Sequence, residues 1–275
     1  MKPPERRSDW SAEIESLYHH DMREIWDPKI APQIWNQYHD QLRLYQAMVT
    51  DLKPATILDV GCAQGTLALK LAEAGYQVVA NDLRPEFLEY ARSRYEHGDI
   101  EFIAGNVFEL NLNRRFDLIF ANQVIEHLVY PTEFLRRLAG LLTPGGHVIV
   151  TTPNHAYFKN DLPNYAGIGD PAQYADRQYT ADADGHFFAY TAAELVQFAA
   201  DAGFQNPRAF YFETPWISGH VKVRYLHHLL PAVVLRGLDR ITKAVPVFGP
   251  RVCHQLGVLA KLPEHKDRRI NKCPE

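Results

Sequence analysis

From residue 56 onward the chain alternates short apolar runs with stretches whose apolar residues recur every three or four positions. This rhythm constrains the fold more than any other feature. TILDV (56–60), QVVAND (77–82), IEFIAGN (100–106), FDLIFAN (116–122) and HVIVTTP (147–153) read as strands. Leu67, Leu71 and Ala74 mark a helix stopped by Gly75. Pro85 opens another, continued by Phe87, Leu88 and Ala91, and Phe134, Leu138 and Leu141 line a third that ends at TPGG (143–146). Strands and helices in this order imply right-handed βαβ crossovers. The expected fold is therefore α/β, a doubly wound and mostly parallel sheet.

The flanks differ from this middle. Trp10, Ile14 and Leu17, then Trp35, Tyr38, Leu42, Tyr45 and Val49, repeat at helical spacing, with Pro28 and Pro32 between the two runs. Residues 1–52 are expected to be an N-terminal helical extension, 53–265 the main domain and 266–275 a polar tail. Residues 153–185, rich in Asn, Asp, Tyr, Gly and Pro, have no sustained period, and loops of that length are often functional lids. Tyr157, Phe158, Tyr165, Tyr174 and Tyr179 suit a cover over a sugar or a planar acceptor. TAAE (191–194) is a capping box for a helix with Leu195, Phe198 and Ala202 inward and Gly203 as its stop. Residues 204–213 and 251–262 are expected to be two last strands around a helical insertion at 221–244.

Composition narrows the class. The chain has 275 residues, of which 46% are apolar and 23% charged, so it buries a core. No apolar run approaches the length of a membrane span, and the start MKPPERRSDW has no apolar signal region. Cys62, Cys253 and Cys273 match neither a zinc spacing nor a disulfide framework, and a cytoplasmic protein is expected. The net charge of −4 argues against a long polyanionic partner. One segment opposes that balance: Lys222, Arg224, Arg236, Arg240 and Lys243 face only Asp239 between 220 and 250. A basic helical segment of this kind suits a membrane surface, a lid or a dimer contact.

LDVGCAQG (58–65) carries the most chemical information. A strand ends in Asp59, turns through Gly61 and Gly65, and opens a helix whose first N–H groups are unpaired. A dinucleotide site would require G-x-G-x-x-G with a pyrophosphate on the helix end. Here a carboxylate stands at the strand tip, which repels phosphate and favours a cation. Asp82, at the next strand tip, is placed to bond ribose hydroxyls. A cationic nucleoside without phosphate points to S-adenosyl-L-methionine and makes a nicotinamide oxidoreductase the weakest reading.

ILDVGCAQG, ANDLRPE, FIAGN, FDLIFANQVIEHL, LLTPGGHVIVTTPN and GHFFAYTAAELVQFAADAGF, in that order, resemble the motifs of class I S-adenosylmethionine-dependent methyltransferases over residues 50–215. The nearest flavour is the group containing ubiquinone-biosynthesis O-methyltransferases and many sugar and natural-product enzymes. The resemblance implies a seven-stranded Rossmann-like sheet closed by an antiparallel hairpin. It further implies that Asp59, Gly61 and Gly65 hold the methionine moiety with Cys62 lining the turn. Asp82 would take the ribose hydroxyls, Leu83, Asn106 and Val107 would surround the adenine, and Asn122 would face the methyl-bearing sulfur. Two positions depart from the family: Ala63 stands where a third glycine is frequent, and Asn106 replaces an acid.

For the acceptor, Glu126, His127, His155 and His186 follow strands whose C-terminal ends share one edge. His127 or His186 could take a hydroxyl proton directly. Alternatively, Glu126, His127 and His186 could bind a divalent metal such as magnesium. NQVIEHL, TPNHAYF and DGHFFAYT also resemble segments of metal-dependent small-RNA 2′-O-methyltransferases, with Gln123 in place of a glutamate and Ala189-Tyr190 in place of Glu-Trp. The expected activity is O-methylation of a small hydroxylated acceptor such as a sugar or glycoside. RNA 2′-O-methylation is the second reading, a non-catalytic cofactor-binding scaffold the third, and homodimerisation is left open.

Overall fold

The computed structural model describes residues 1–178 and 185–264, so Tyr179 and the expected polar tail lie outside the described residues. Helices α1 (Ala12–Asp21) and α2 (Pro32–Leu52) precede the sheet, joined through a five-residue π-helical turn at Met22–Trp26. Next come β1 (Thr56–Val60), α3 (Thr66–Glu73), β2 (Gln77–Asp82), α4 (Pro85–Ser93), β3 (Asp99–Ala104) and β4 (Phe116–Asn122). They are followed by α5 (Pro131–Leu141), β5 (Leu142–Pro153), α6 (Ala192–Asp201) and β6 (Gln205–Phe212). The chain then runs through α7 (Pro215–Ser218), α8 (Ala232–Ala244) and α9 (Phe248–Val252) into β7 (Gln255–Lys261).

The seven strands form one sheet in the order β3-β2-β1-β4-β5-β7-β6. β7 runs antiparallel to both β5 and β6, and the other pairings are parallel. The doubly wound expectation therefore holds, and the antiparallel end of the sheet is where the resemblance put it. Central strands buried on both faces explain the apolar runs at Ile57–Leu58 and Leu118–Ala121. One core layer packs α5 and α6 on the sheet, and a second packs α2 and α3 on the opposite face through Leu42, Tyr45 and Val49. Strand order reverses between β1 and β4, so the loops after them splay apart and leave a crevice.

Three local expectations need correction. TPGG does not separate α5 from the next strand: β5 begins at Leu142, and the pairing jumps from Phe116–Leu142 to Leu118–His147, which bulges the glycines out of register. Arg251 lies in the last turn of α9 instead of opening the last strand, because Cys253 N still donates to Gly249 O and pairing with β6 starts only at Gln255. The aromatic loop is in large part not a cover. Tyr165 packs edge-on against Phe188 and Phe198, and Tyr174 stacks on Phe187, so these rings add to the core. Thr191 and Glu194 do form the capping box. Among the described residues no helix is long and apolar enough to cross a membrane.

Candidate active site

A cavity of about 470 Å³ fills the crevice. Gly61 and Ala63 reach it from the turn after β1, Asp82 and Leu83 from the end of β2, Asn106 and Val107 from beyond β3, and Asn122 and His127 from beyond β4. Seven of the residues picked out in the sequence thus converge: Gly61, Asp82, Leu83, Asn106, Val107, Asn122 and His127.

The turn is tightly drawn. Gly61 has φ +67°, and a Cβ there would lie 2.7 Å from Val124 Cγ2. Ala63 also sits in the left-handed region, at φ 47°, which is the physical reason a glycine would be at ease in that place. Asp82 is almost wholly buried; its Oδ2 accepts from Ala63 N at 2.9 Å and its Oδ1 from Arg84 N at 3.0 Å. Those two bonds hold the carboxylate at the cleft wall and leave lone pairs for a diol. Asn106 Oδ1 accepts from Phe108 N, closing a small turn at the cleft wall.

Three expected residues hold other positions. Asp59 is buried behind the turn and does not line the cavity; burial first, then the neighbouring Asp82, pushes its carboxyl up to about 7. Gly65 faces away from the cavity, where a Cβ would come within 2.6 Å of Ala91 Cβ, so this glycine lets α3 pack on α4. Cys62 packs against the α2–α3 core layer, and burial keeps its thiol well above the ordinary range.

Behind the turn lies a support that the motifs did not reveal. Arg94, fully buried, donates to Gln64 O (2.6 Å) and Thr66 Oγ1 (2.9 Å), and its guanidinium is paired with buried Asp21 at 2.8 Å. Asp21 also accepts from Trp26 Nε1 and Tyr90 Oη. Gln64 Nε2 donates to Glu24 Oε2 at 2.8 Å. The N-terminal helices are therefore bonded to the glycine turn from its far side.

The other half of the site follows β4. Glu126 and His127 end a short 3-10 turn, and Phe187 N donates to Glu126 O at 2.9 Å, which brings His186 beside them. The His127 and His186 rings are 5.0 Å apart, and His186 Nε2 lies 3.9 Å from Glu126 Oε1. One donor atom from each of Glu126, His127 and His186 lies within 4.8 Å of the other two. Glu126 is fully buried, which pushes its carboxyl up to about 8, and its Oε2 has no hydrogen-bond partner among the described residues. Burial, with His127 and His254 alongside, pushes His186 down to about 4. His155 is elsewhere: its backbone N donates to Tyr190 O, and it does not line the cleft.

His186 lines a second cavity of about 410 Å³, together with Tyr157, Asn160, His220, His254 and Gln255. Tyr157 Oη and His220 Nδ1 are 2.7 Å apart, and burial followed by His254 pushes His220 down to about 4. The two cavities share a wall. His127 belongs to the first and His186 to the second, and the side-chain amides of Gln123 in the first and Gln255 in the second meet at 2.9 Å. Sequence reasoning missed His220, His254 and Gln255, because they come from the far end of the chain and no short motif contains them.

A family model described as a methyltransferase domain matches residues 18–208. This chain belongs to the S-adenosylmethionine-dependent methyltransferases. The ubiquinone biosynthesis O-methyltransferase of Xanthomonas euvesicatoria is 31% identical over 193 residues, covering 66% of this chain and 78% of that protein. The enzyme of the same name from Xanthomonas oryzae is 35% identical over 117 residues, 40% of this chain and 48% of that protein. An S-adenosylmethionine-dependent methyltransferase from Mesorhizobium loti superposes with a TM-score of 0.55 over 82% of this chain and 97% of its own; at 18% identity this likeness concerns the fold alone. For the methyltransferase, S-adenosylmethionine is the cofactor the family uses, and the crevice at the strand-order reversal is where the fold offers it room.

Proposed function

We propose that the methyltransferase moves the methyl group of S-adenosylmethionine to a hydroxyl of a small molecule held in the second cavity. The observation that carries this reading is the shared wall. A cofactor-sized cleft and a separate pocket of about 410 Å³ meet at His127 and His186, the arrangement an in-line displacement needs. The acceptor oxygen attacks the methyl carbon, the S–C bond breaks, and its electron pair returns to sulfur, leaving a neutral thioether. The hydroxyl proton passes to His186, whose imidazole is neutral at physiological pH because burial holds it at about 4. His186 is about one-third exposed, so the proton can leave to solvent. Tyr157, Asn160 and His220 offer hydrogen bonds to a polyhydroxylated acceptor. Among the described residues the walls of this pocket carry Lys159 as their one Lys or Arg, which suits a small acceptor better than a polynucleotide.

The Glu126–His127–His186 cluster favours a second route for the same proton. Two imidazoles and a carboxylate suit a borderline divalent ion such as zinc or manganese better than magnesium, which prefers oxygen ligands. The bare, buried Oε2 of Glu126 fits such a role. Bound there, an ion would lower the pKa of an acceptor hydroxyl.

The test is a labelled-methyl screen over sugars, glycosides, phenols and RNA, run with and without a chelator. Label on a small hydroxylated compound is expected, and His186→Ala should lower kcat by about a hundredfold or more while cofactor affinity stays unchanged. Label on RNA alone, or full activity in His186→Ala, would overturn the assignment. Loss of activity with chelator, restored by zinc or manganese, would select the metal route; indifference to chelator would select the histidine.

A further inference from the structure

The stretch from 221 to 248 is unlike the rest of the surface. Among the described residues, nine of the fourteen large apolar side chains that stand exposed fall within it. Leu229 is 76% exposed, Val247 71%, Ile241 68% and Val233 65%. On α8, Val233, Gly237 and Ile241 recur every four residues on the outer face, while Leu235 and Asp239 face inward, and Val245 stands exposed just past the helix end. Phe248 continues the apolar surface onto α9, which packs on α8.

Cations flank this face. Lys222, Arg224, Arg240 and Arg251 are exposed, and Arg236 is partly so. The one acid between 221 and 252 is Asp239, which is buried, paired with Lys243 at 2.7 Å, and accepting from Thr214 Oγ1. The segment is therefore apolar at its centre, cationic at its margin and without an exposed acid of its own, on a chain whose net charge is −4. From other elements, exposed Asp161 lines the adjoining pocket beside Val221, and partly buried Asp40 lies near Arg236 and Lys243.

We propose that this face docks on an anionic lipid bilayer. Apolar side chains that cost free energy in water gain by entering the interfacial region, and flanking Lys and Arg are drawn to acidic headgroups. A second copy of the chain fits less well. A twofold interface sets a patch against itself, and here that would bring mostly cations against cations. The patch also adjoins the second cavity: Val221, 43% exposed, lines that pocket, as does Lys159, and exposed Phe158 bonds through its backbone N to Arg251 O. A docked enzyme would hold the mouth of this pocket near the bilayer surface.

The experiment is co-sedimentation of the full chain with phosphatidylcholine vesicles, with and without phosphatidylglycerol, at low and high salt. It reads binding and not turnover, so its result is independent of the methyl-transfer assignment. Binding is expected to anionic vesicles, weakening with salt because each margin cation contributes about fivefold at low ionic strength. The double variant Val233→Ser/Ile241→Ser should lower the partition coefficient at least tenfold, and Arg224→Gln/Arg240→Gln should do the same at low salt. Tyr95→Ser, at the opposite edge of the sheet, should bind like the parent and report on folding. Equal binding to neutral vesicles, no binding, or a stable dimer that the Val233→Ser/Ile241→Ser variant dissociates would overturn the proposal.

Discussion

Arg94 provides the most decisive test of how the cofactor turn is held. Its guanidinium is fully buried and joins three parts of the chain: Asp21 at the end of α1, Gln64 O in the turn and Thr66 Oγ1 at the start of α3. Replacing it with Met preserves much of the volume but leaves Asp21 buried without its cation. Burial already raises the Asp21 carboxyl, and Arg94 is the largest influence pulling it back. Breaking a buried pair by removing one member costs about 3–5 kcal/mol. Arg94→Met is therefore expected to lose about 4 kcal/mol in urea unfolding at pH 7, close to half the stability of an ordinary domain. Asp21→Asn should lose less, because its amide still accepts from Trp26 and Tyr90. The double variant should be less damaged than the sum of the singles by about 1.5 kcal/mol or more, the signature of coupled neighbours. Calorimetry on the folded fraction should show S-adenosylmethionine binding at least about tenfold weaker, since two anchors of the turn are gone. An Arg94→Met protein within about 1 kcal/mol of the parent, or one with unchanged cofactor affinity, would refute the idea that this pair fastens the turn.

Three shorter predictions follow from the same geometry. Burial pushes the Glu24 carboxyl up to about 7, above its unfolded value of 4.5, so its favourable contribution is complete below about pH 4.5 and disappears as pH rises through 7. Glu24→Gln keeps an acceptor for Gln64 and should be more stable than the parent by roughly 1–3 kcal/mol at pH 8, with little difference at pH 4.5; equal pH profiles in urea titrations would contradict this. Asp82→Ala removes the acceptor of Ala63 N and Arg84 N along with the ribose partner, and cofactor affinity should fall by at least about 1 kcal/mol in calorimetry; unchanged affinity would remove Asp82 from the site. Gly65→Ala combines φ +74° with a 2.6 Å approach to Ala91, so it should cost about 2 kcal/mol or more in thermal unfolding, and a neutral result would mean α4 can shift away from α3.

Much of this molecule was already determined by the sequence. Period-two and period-3.6 patterns reflect local burial, so β1, β2, β4 and the α6 capping box lie where residues 56–60, 77–82, 116–122 and 191–194 indicate. Part of the crevice lining was readable too, because a strand tip and its following turn lie within a few residues of each other, although Asp59, Cys62 and Gly65 of that turn do not line it. Asp82, Asn106 and Asn122 reach one cavity because parallel strands all end on the same edge.

What only the tertiary structure decided involves residues far apart in the chain. No spacing rule brings His220 and His254 to Tyr157, or Arg94 to Asp21, since these contacts depend on how helices from the two ends of the chain dock on the sheet. The same limit explains the aromatic loop. Tyr165 and Tyr174 have the composition of a ligand cover, yet the apolar side of Phe187 and Phe188 was the surface available to them. Sequence fixes a residue's local preference for burial and direction, while its neighbour is chosen by packing, which is non-local and takes whichever surface removes the most apolar area from water.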